Sequence, residues 1–153
     1  MSDTGGREAK RELTATLNHL IETCKDVEKG YRDAASDIHD SELKSLFGKY
    51  SHERAQFSRA LQQAVRQAGG FAKTNGTVGG ALRRGWLELK STLDGGDERL
   101  MLTECAHNED VGKANYEAAL RRTLPAAVKR LLEHQYAAIA DAQREMHRLC
   151  GAP

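Results

Sequence analysis

The sequence predicts an all-α fold, a four-helix bundle made of two antiparallel helical hairpins joined by a long crossover that contains a short helix. Three observations carry this expectation. Four long stretches repeat apolar residues in alternating steps of three and four, the period of a buried helical seam. The chain has 2 prolines and 5% aromatic residues and is rich in Ala, Leu, Glu, Lys, Arg and Gln, the composition of helices rather than sheets. The stretches are parted by short turn signals, except for one glycine-rich segment. At 153 residues the chain is about one domain long and can bury a core without staples. We expect a disordered tail over residues 1–10 and one domain over 11–150.

The first seam runs Leu13, Leu17, Leu20, Cys24, Val27, Tyr31, Ala34 and Ile38. His39-Asp40-Ser41 follows as a tight turn, with Asp40 or Ser41 as N-cap and Glu42 in the next first turn, where negative charge favours a helix start. The second seam reads Leu43, Leu46, Tyr50, Glu53, Phe57, Ala60 or Leu61, Ala64 and Ala68, and Gly69-Gly70 closes it. From Gly69 to Gly96 the chain holds eight of its 14 glycines, yet Leu82, Trp86, Leu89 and Leu93 keep helical spacing within it. That segment reads as loop, short amphipathic helix and loop.

After Gly95-Gly96, Asp97 is an N-cap candidate, and the third seam takes Leu102, Cys105, Glu109, Gly112, Tyr116 and Ala119 or Leu120. Thr123-Leu124-Pro125 marks the next boundary, because proline is tolerated in a first helical turn and not inside. The fourth seam is Val128, Leu132, Gln135, Ile139, Ala142, Met146 and Leu149, with Gly151 after it. Helices of this size are about 40 Å long. A crossover as long as 69–96 can travel that length and set the third helix parallel to the second, the topology of ferritin-like proteins.

Charge and cysteine usage narrow the function classes. Lys+Arg 23 against Asp+Glu 22 leaves a net charge of +1, interspersed along the chain, so neither nucleic acid nor an anionic membrane is an expected partner. Arg83-Arg84 is too short a basic run to alter that. Cys24, Cys105 and Cys150 are odd in number and fit no zinc spacing, which suits a reducing compartment. No apolar run approaches the roughly 20 residues of a membrane span, and the first ten residues carry no apolar signal-peptide core. The expected location is cytoplasmic.

Polar residues interrupt the seams at matching heights. Glu28 borders the first seam beside Val27, and Glu53 lies about as far after the Asp40 turn as Glu28 lies before it; Glu109 and Gln135 flank the Pro125 turn almost as evenly. Carboxylates on facing helices are what an iron or manganese bundle site needs, because hard cations take anionic oxygen. Such sites couple glutamates to histidines three positions on, but Gln56 follows Glu53 and Ala138 follows Gln135 at that spacing. The six histidines all fall off the seams. We therefore expect a degenerate site, with Glu28, Glu53 and Glu109 as the candidate metal ligands and Gln135, Gln56, Tyr31, Tyr50 and Tyr116 in support. The competing expectation is structural: buried acids held by hydrogen bonds from Tyr31, Tyr50, Tyr116 and Gln135. Cys24 and Cys105, four residues before Glu28 and Glu109, read as small buried hydrophobes above and below the acids.

LNHLIETCKDVEKGY with the following AA, RRGWLELK in the crossover, ECAHNEDVGKANYEAAL in the third helix and LLEHQY in the fourth resemble a bacterial family of ferritin-like four-helix-bundle proteins catalogued as a domain of unknown function. The resemblance covers about Leu13 to Leu149. Asp26, Gly30, Trp86, Glu109, Asp110, Tyr116 and Gln135 look like family positions, while Arg83 stands where relatives tend to carry histidine, and Ala106 and Asn108 replace an acidic residue and a glycine. The resemblance implies the ferritin-like fold and supplies no activity. The sequence thus points to a non-enzymatic, self-associating homo-oligomer with no cofactor and a central site that is structural or weakly ligand-binding. One rival is an oxidase or iron-handling protein holding iron or manganese; the other is an accessory protein that presents Trp86 to a protein partner.

Overall fold

A computed structural model describes residues 3–77 and 98–151 of the chain. Among the described residues the fold is all-α, with four helices and no strand: α1 (Asp3–Asp37), α2 (Ser41–Gln67), α3 (Glu98–Leu120) and α4 (Ala126–Leu149). No helix among them is long and apolar enough to cross a membrane. Trp86, Arg83 and the expected crossover helix lie outside the described residues, as does Asp97.

Local chemistry explains each boundary. The α1 helix starts at Asp3, so residues 3–10 are helix rather than the expected disordered tail; Arg7, Glu8, Ala9 and Lys10 are exposed but form helix readily. Asp40 caps α2 by accepting the N–H groups of Glu42 and Leu43 at 2.9 and 3.0 Å. That helix ends in a Schellman motif, with Gly69 N–H on the Arg66 carbonyl, Gly70 N–H on the Val65 carbonyl, and Gly69 at φ 82°. Pro125 starts α4 without a side-chain cap, and Gly151 follows its end at φ 75°.

Contacts between α1 and α2 pair high numbers on one helix with low numbers on the other. Lys44 Nζ donates to the Ala35 carbonyl, Ser51 Oγ donates to the Glu28 carbonyl, and Gly70 lies against Thr14. The same reversed order joins α3 to α4, where Asp110 meets His147 and Tyr116 meets Gln135. Beyond α2 the chain turns back along α1. Asn18 holds the Phe71 carbonyl and the Lys73 N–H, each at 2.9 Å, and Asp26 accepts from Thr77 N and Oγ1 at 3.1 and 2.7 Å. The approach is close: a Cβ on Gly76 would lie 2.2 Å from Asp26 Oδ1 and would displace the carboxylate that holds Thr77. The start of α3 is tied to the α1–α2 turn, because Glu98 Oε1 accepts the N–H groups of His39 and Asp40 at 3.0 and 3.2 Å.

The seams of α1, α3 and α4 are buried along their middles and half-buried at Leu13, Val128 and Leu149, as expected of helix ends, but the seam of α2 is rotated. Its buried line is Phe47, Tyr50, Arg54, Phe57, Leu61 and Val65, so Glu53 and Ala64 sit beside the core and not in it. The apolar interior falls into two clusters. One contains Tyr31, Phe47, Tyr50, Leu102, Cys105 and Met146; the other contains Leu20, Cys24, Phe57, Leu61, Tyr116, Leu132 and Ile139.

Candidate functional site

Arg54, Glu109 and Gln135 are 1%, 0% and 1% exposed, and their contacts reach residues of both apolar clusters. Arg54 enters from α2 because it falls four residues after Tyr50 and three before Phe57, a regular seam spacing. Glu109 enters from α3 between Cys105 and Gly112. Gly112 leaves room beside the guanidinium, since a Cβ there would lie 4.0 Å from Arg54 Nη1.

Both carboxylate oxygens of Glu109 are occupied by donors of the same chain. Arg54 Nη2 donates to Oε1, and Tyr31 Oη donates to Oε2. A buried charge needs such a partner and hydrogen bonds to both of its oxygens. Burial alone would make Arg54 easier to deprotonate, but the Glu109 charge overcomes that, with Tyr31 and Cys24 adding to it, and the guanidinium is held charged. Burial and then the Glu109 charge push the Tyr31 hydroxyl well above the ordinary tyrosine range, so it stays a neutral donor. The Tyr50 ring stacks at a tilt on Tyr31 with centroids 5.3 Å apart. Burial, followed by Glu145 and Glu109, raises the Tyr50 pKa to about 12.

A second, uncharged chain of hydrogen bonds lies on the other side. Tyr116 Oη donates to Gln135 Oε1 at 2.7 Å, and Gln135 Nε2 donates to the Phe57 carbonyl at 3.4 Å. Cys24 Sγ lies 3.2 Å from Tyr116 Oη. Tyr116 has one proton and gives it to an amide oxygen, so the thiol is the donor in that last contact. Burial raises the Cys24 pKa and suppresses the thiolate, as it does for Cys105, where the Glu109 charge adds to the effect. The two thiols fall in different apolar clusters, Cys24 with Tyr116 and Cys105 with Tyr31.

Only part of the expected constellation is brought together. Glu109, Gln135, Tyr31 and Tyr116 meet in the interior, and Tyr50 packs beside them. Glu28 is directed to the flank, where its oxygens lie 3.5 Å from Arg32 Nη1 and 3.8 Å from Lys25 Nζ. Glu53 is half-buried beside the core, and Gln56 is exposed and bonds His52 at 3.3 Å. The physical reason is the one-residue rotation of α2, which carries Arg54 inward in place of Glu53. Among the described residues no three His, Cys, Asp or Glu side chains could hold a metal ion. A di-iron or di-manganese centre does not fit this donor set: a guanidinium stands against Glu109, the one fully buried carboxylate among the described residues.

Arg54 is the residue that sequence reasoning missed. The seam drawn through Glu53 passed over it, although Arg54 is spaced from Tyr50 and Phe57 equally well and arginine is seldom buried without a partner. Asp110, a family-like position, also has its partners: it accepts from Gln143 Nε2 and His147 Nε2, each at 2.8 Å. Together the interior groups can bind one another and neutralise one charge pair. They offer neither a free base nor an activated thiol.

The sequence matches the family described as Domain of unknown function (DUF2383) over residues 12–122, which takes in most of α1 and all of α2 and α3. None of the curated proteins matches the chain.

Proposed function

The chain belongs to the DUF2383 family, and we propose that it is a non-enzymatic, cytoplasmic, self-associating bundle of two antiparallel helical hairpins in the ferritin-like arrangement, whose interior polar layer is structural. The observation that carries this reading is the complete occupation of Glu109 by Tyr31 and Arg54. A cation entering the centre would have to displace a guanidinium that already supplies the compensating charge. The reversed order of contacts between α1 and α2 and between α3 and α4, with α3 starting beside the α1–α2 turn, supports the arrangement.

Elemental analysis of untagged protein, before and after anaerobic incubation with ferrous iron, tests the reading. The expected result is no stoichiometric metal in either sample. Near-stoichiometric iron or manganese that disappears in Glu109→Ala would overturn it and put an oxidase or iron-handling role first.

A further inference from the structure

We propose that the trough between the first half of α1 and the α3–α4 turn binds a single-chain amphiphile with an anionic head, of the long-chain carboxylate type. The trough begins as a cleft of about 850 Å³ where α1, the Ala68 end of α2 and the Arg121–Pro125 turn meet. That volume lies in the range of about 300–1,000 Å³ common to small-molecule sites. An adjoining groove of about 320 Å³ continues between α1 and α3 and shares Glu12, Thr16 and Arg122 with the cleft. The two therefore adjoin along one side of α1.

The two ends of the trough differ in chemistry. Lys10, Arg121 and Arg122 line the open cleft against a single acid, Glu12. Among the described residues none of the three cations has an acidic partner, whereas Arg144 and Arg148 on the surface of α4 are paired with Asp141 and Glu145. The positive end of α4 opens at the same place, with no side-chain cap and no acid in its first turn, which favours an anion further. Beyond the shared residues the groove adds no lysine, arginine or acid: it is walled by the exposed Ala15 and Ala118 together with His19 and Asn115, and its floor reaches Leu20 and Ala119, which are 1% and 2% exposed and belong to an apolar cluster. A carboxylate suits the first end, and a hydrocarbon chain along the alanines suits the second.

Calorimetric titration of the full chain with dodecanoate below its micellar concentration tests the assignment. The expected result is one dodecanoate per chain, bound at least tenfold more weakly after the double change Arg121→Glu and Arg122→Glu, since the loss of even one charge-assisted contact costs about that much. Arg144→Glu with Arg148→Glu should leave binding unchanged, and Ala15→Trp, which fills the groove, should weaken it with the helical circular dichroism intact. No saturable uptake, equal loss in both double variants, or equal uptake of dodecyltrimethylammonium would each overturn the proposal. Inorganic phosphate binding as tightly as dodecanoate would also overturn it, because the apolar groove would then contribute nothing. The metal analysis has no bearing on these outcomes.

Discussion

Arg54 of α2 and Glu109 of α3 form an ion pair from which water is excluded, with side chains 1% and 0% exposed. Removing one member of such a pair leaves a charge buried alone, so Arg54→Met or Glu109→Leu should each cost about 3–5 kcal/mol. The double variant should recover much of that loss, because two apolar side chains of similar volume can replace the pair. Urea unfolding of the three variants checks this. Single losses under about 1 kcal/mol would mean the pair is solvated in solution.

Glu53 gives the complementary expectation. It is half-buried next to the core, so Glu53→Leu should change stability by no more than about 0.5 kcal/mol. A gain or loss several times larger, measured in the same unfolding experiment, would place this carboxylate in the interior after all.

Tyr116 joins Cys24 to Gln135 through one hydroxyl. Tyr116→Phe keeps the ring and strips Gln135 Oε1 of its donor, which should cost about 1–3 kcal/mol. Cys24 stays buried, so its slow labelling by a thiol reagent should persist in the native variant, with the half-buried Cys150 reacting first. Rapid native labelling of Cys24 would show that the hydroxyl, and not burial, protects it.

Asp110 sets a pH dependence. Burial raises its pKa, but the hydrogen bonds from His147 and Gln143 and the charges of His147 and His107 outweigh that and leave it lowered from 3.8. With a depressed folded pKa, the unfolded chain binds the proton more readily. The contribution is therefore present above the unfolded pKa and fades as pH falls through the folded one. The melting temperature of Asp110→Asn should lie below that of the parent protein at about pH 5, and the gap should close towards about pH 2. A gap independent of pH would mean that the α3–α4 contact does not depend on this charge.

Much of the fold was legible in the sequence because helices are specified by nearest neighbours. The Asp40 cap, the Gly69-Gly70 stop and the Pro125 start are local chemistry, and each stands at an observed helix boundary. The inward faces of α1, α3 and α4 were legible for the same reason, and with them Glu109 and Gln135. The helical start of α1 was not, since good helix formers without an apolar face give no seam to count.

By itself the sequence determined four helical segments, the Asp40 cap, the Gly69 and Gly151 stops and two of the interior polar residues. Only the tertiary structure decided which of two adjacent charged residues on α2 turns inward. A 3.6-residue period leaves Glu53 and Arg54 nearly equivalent as seam positions, and burying a charge depends on what faces it. For Arg54 that is Glu109, 55 residues away on another helix, and no local pattern carries such information.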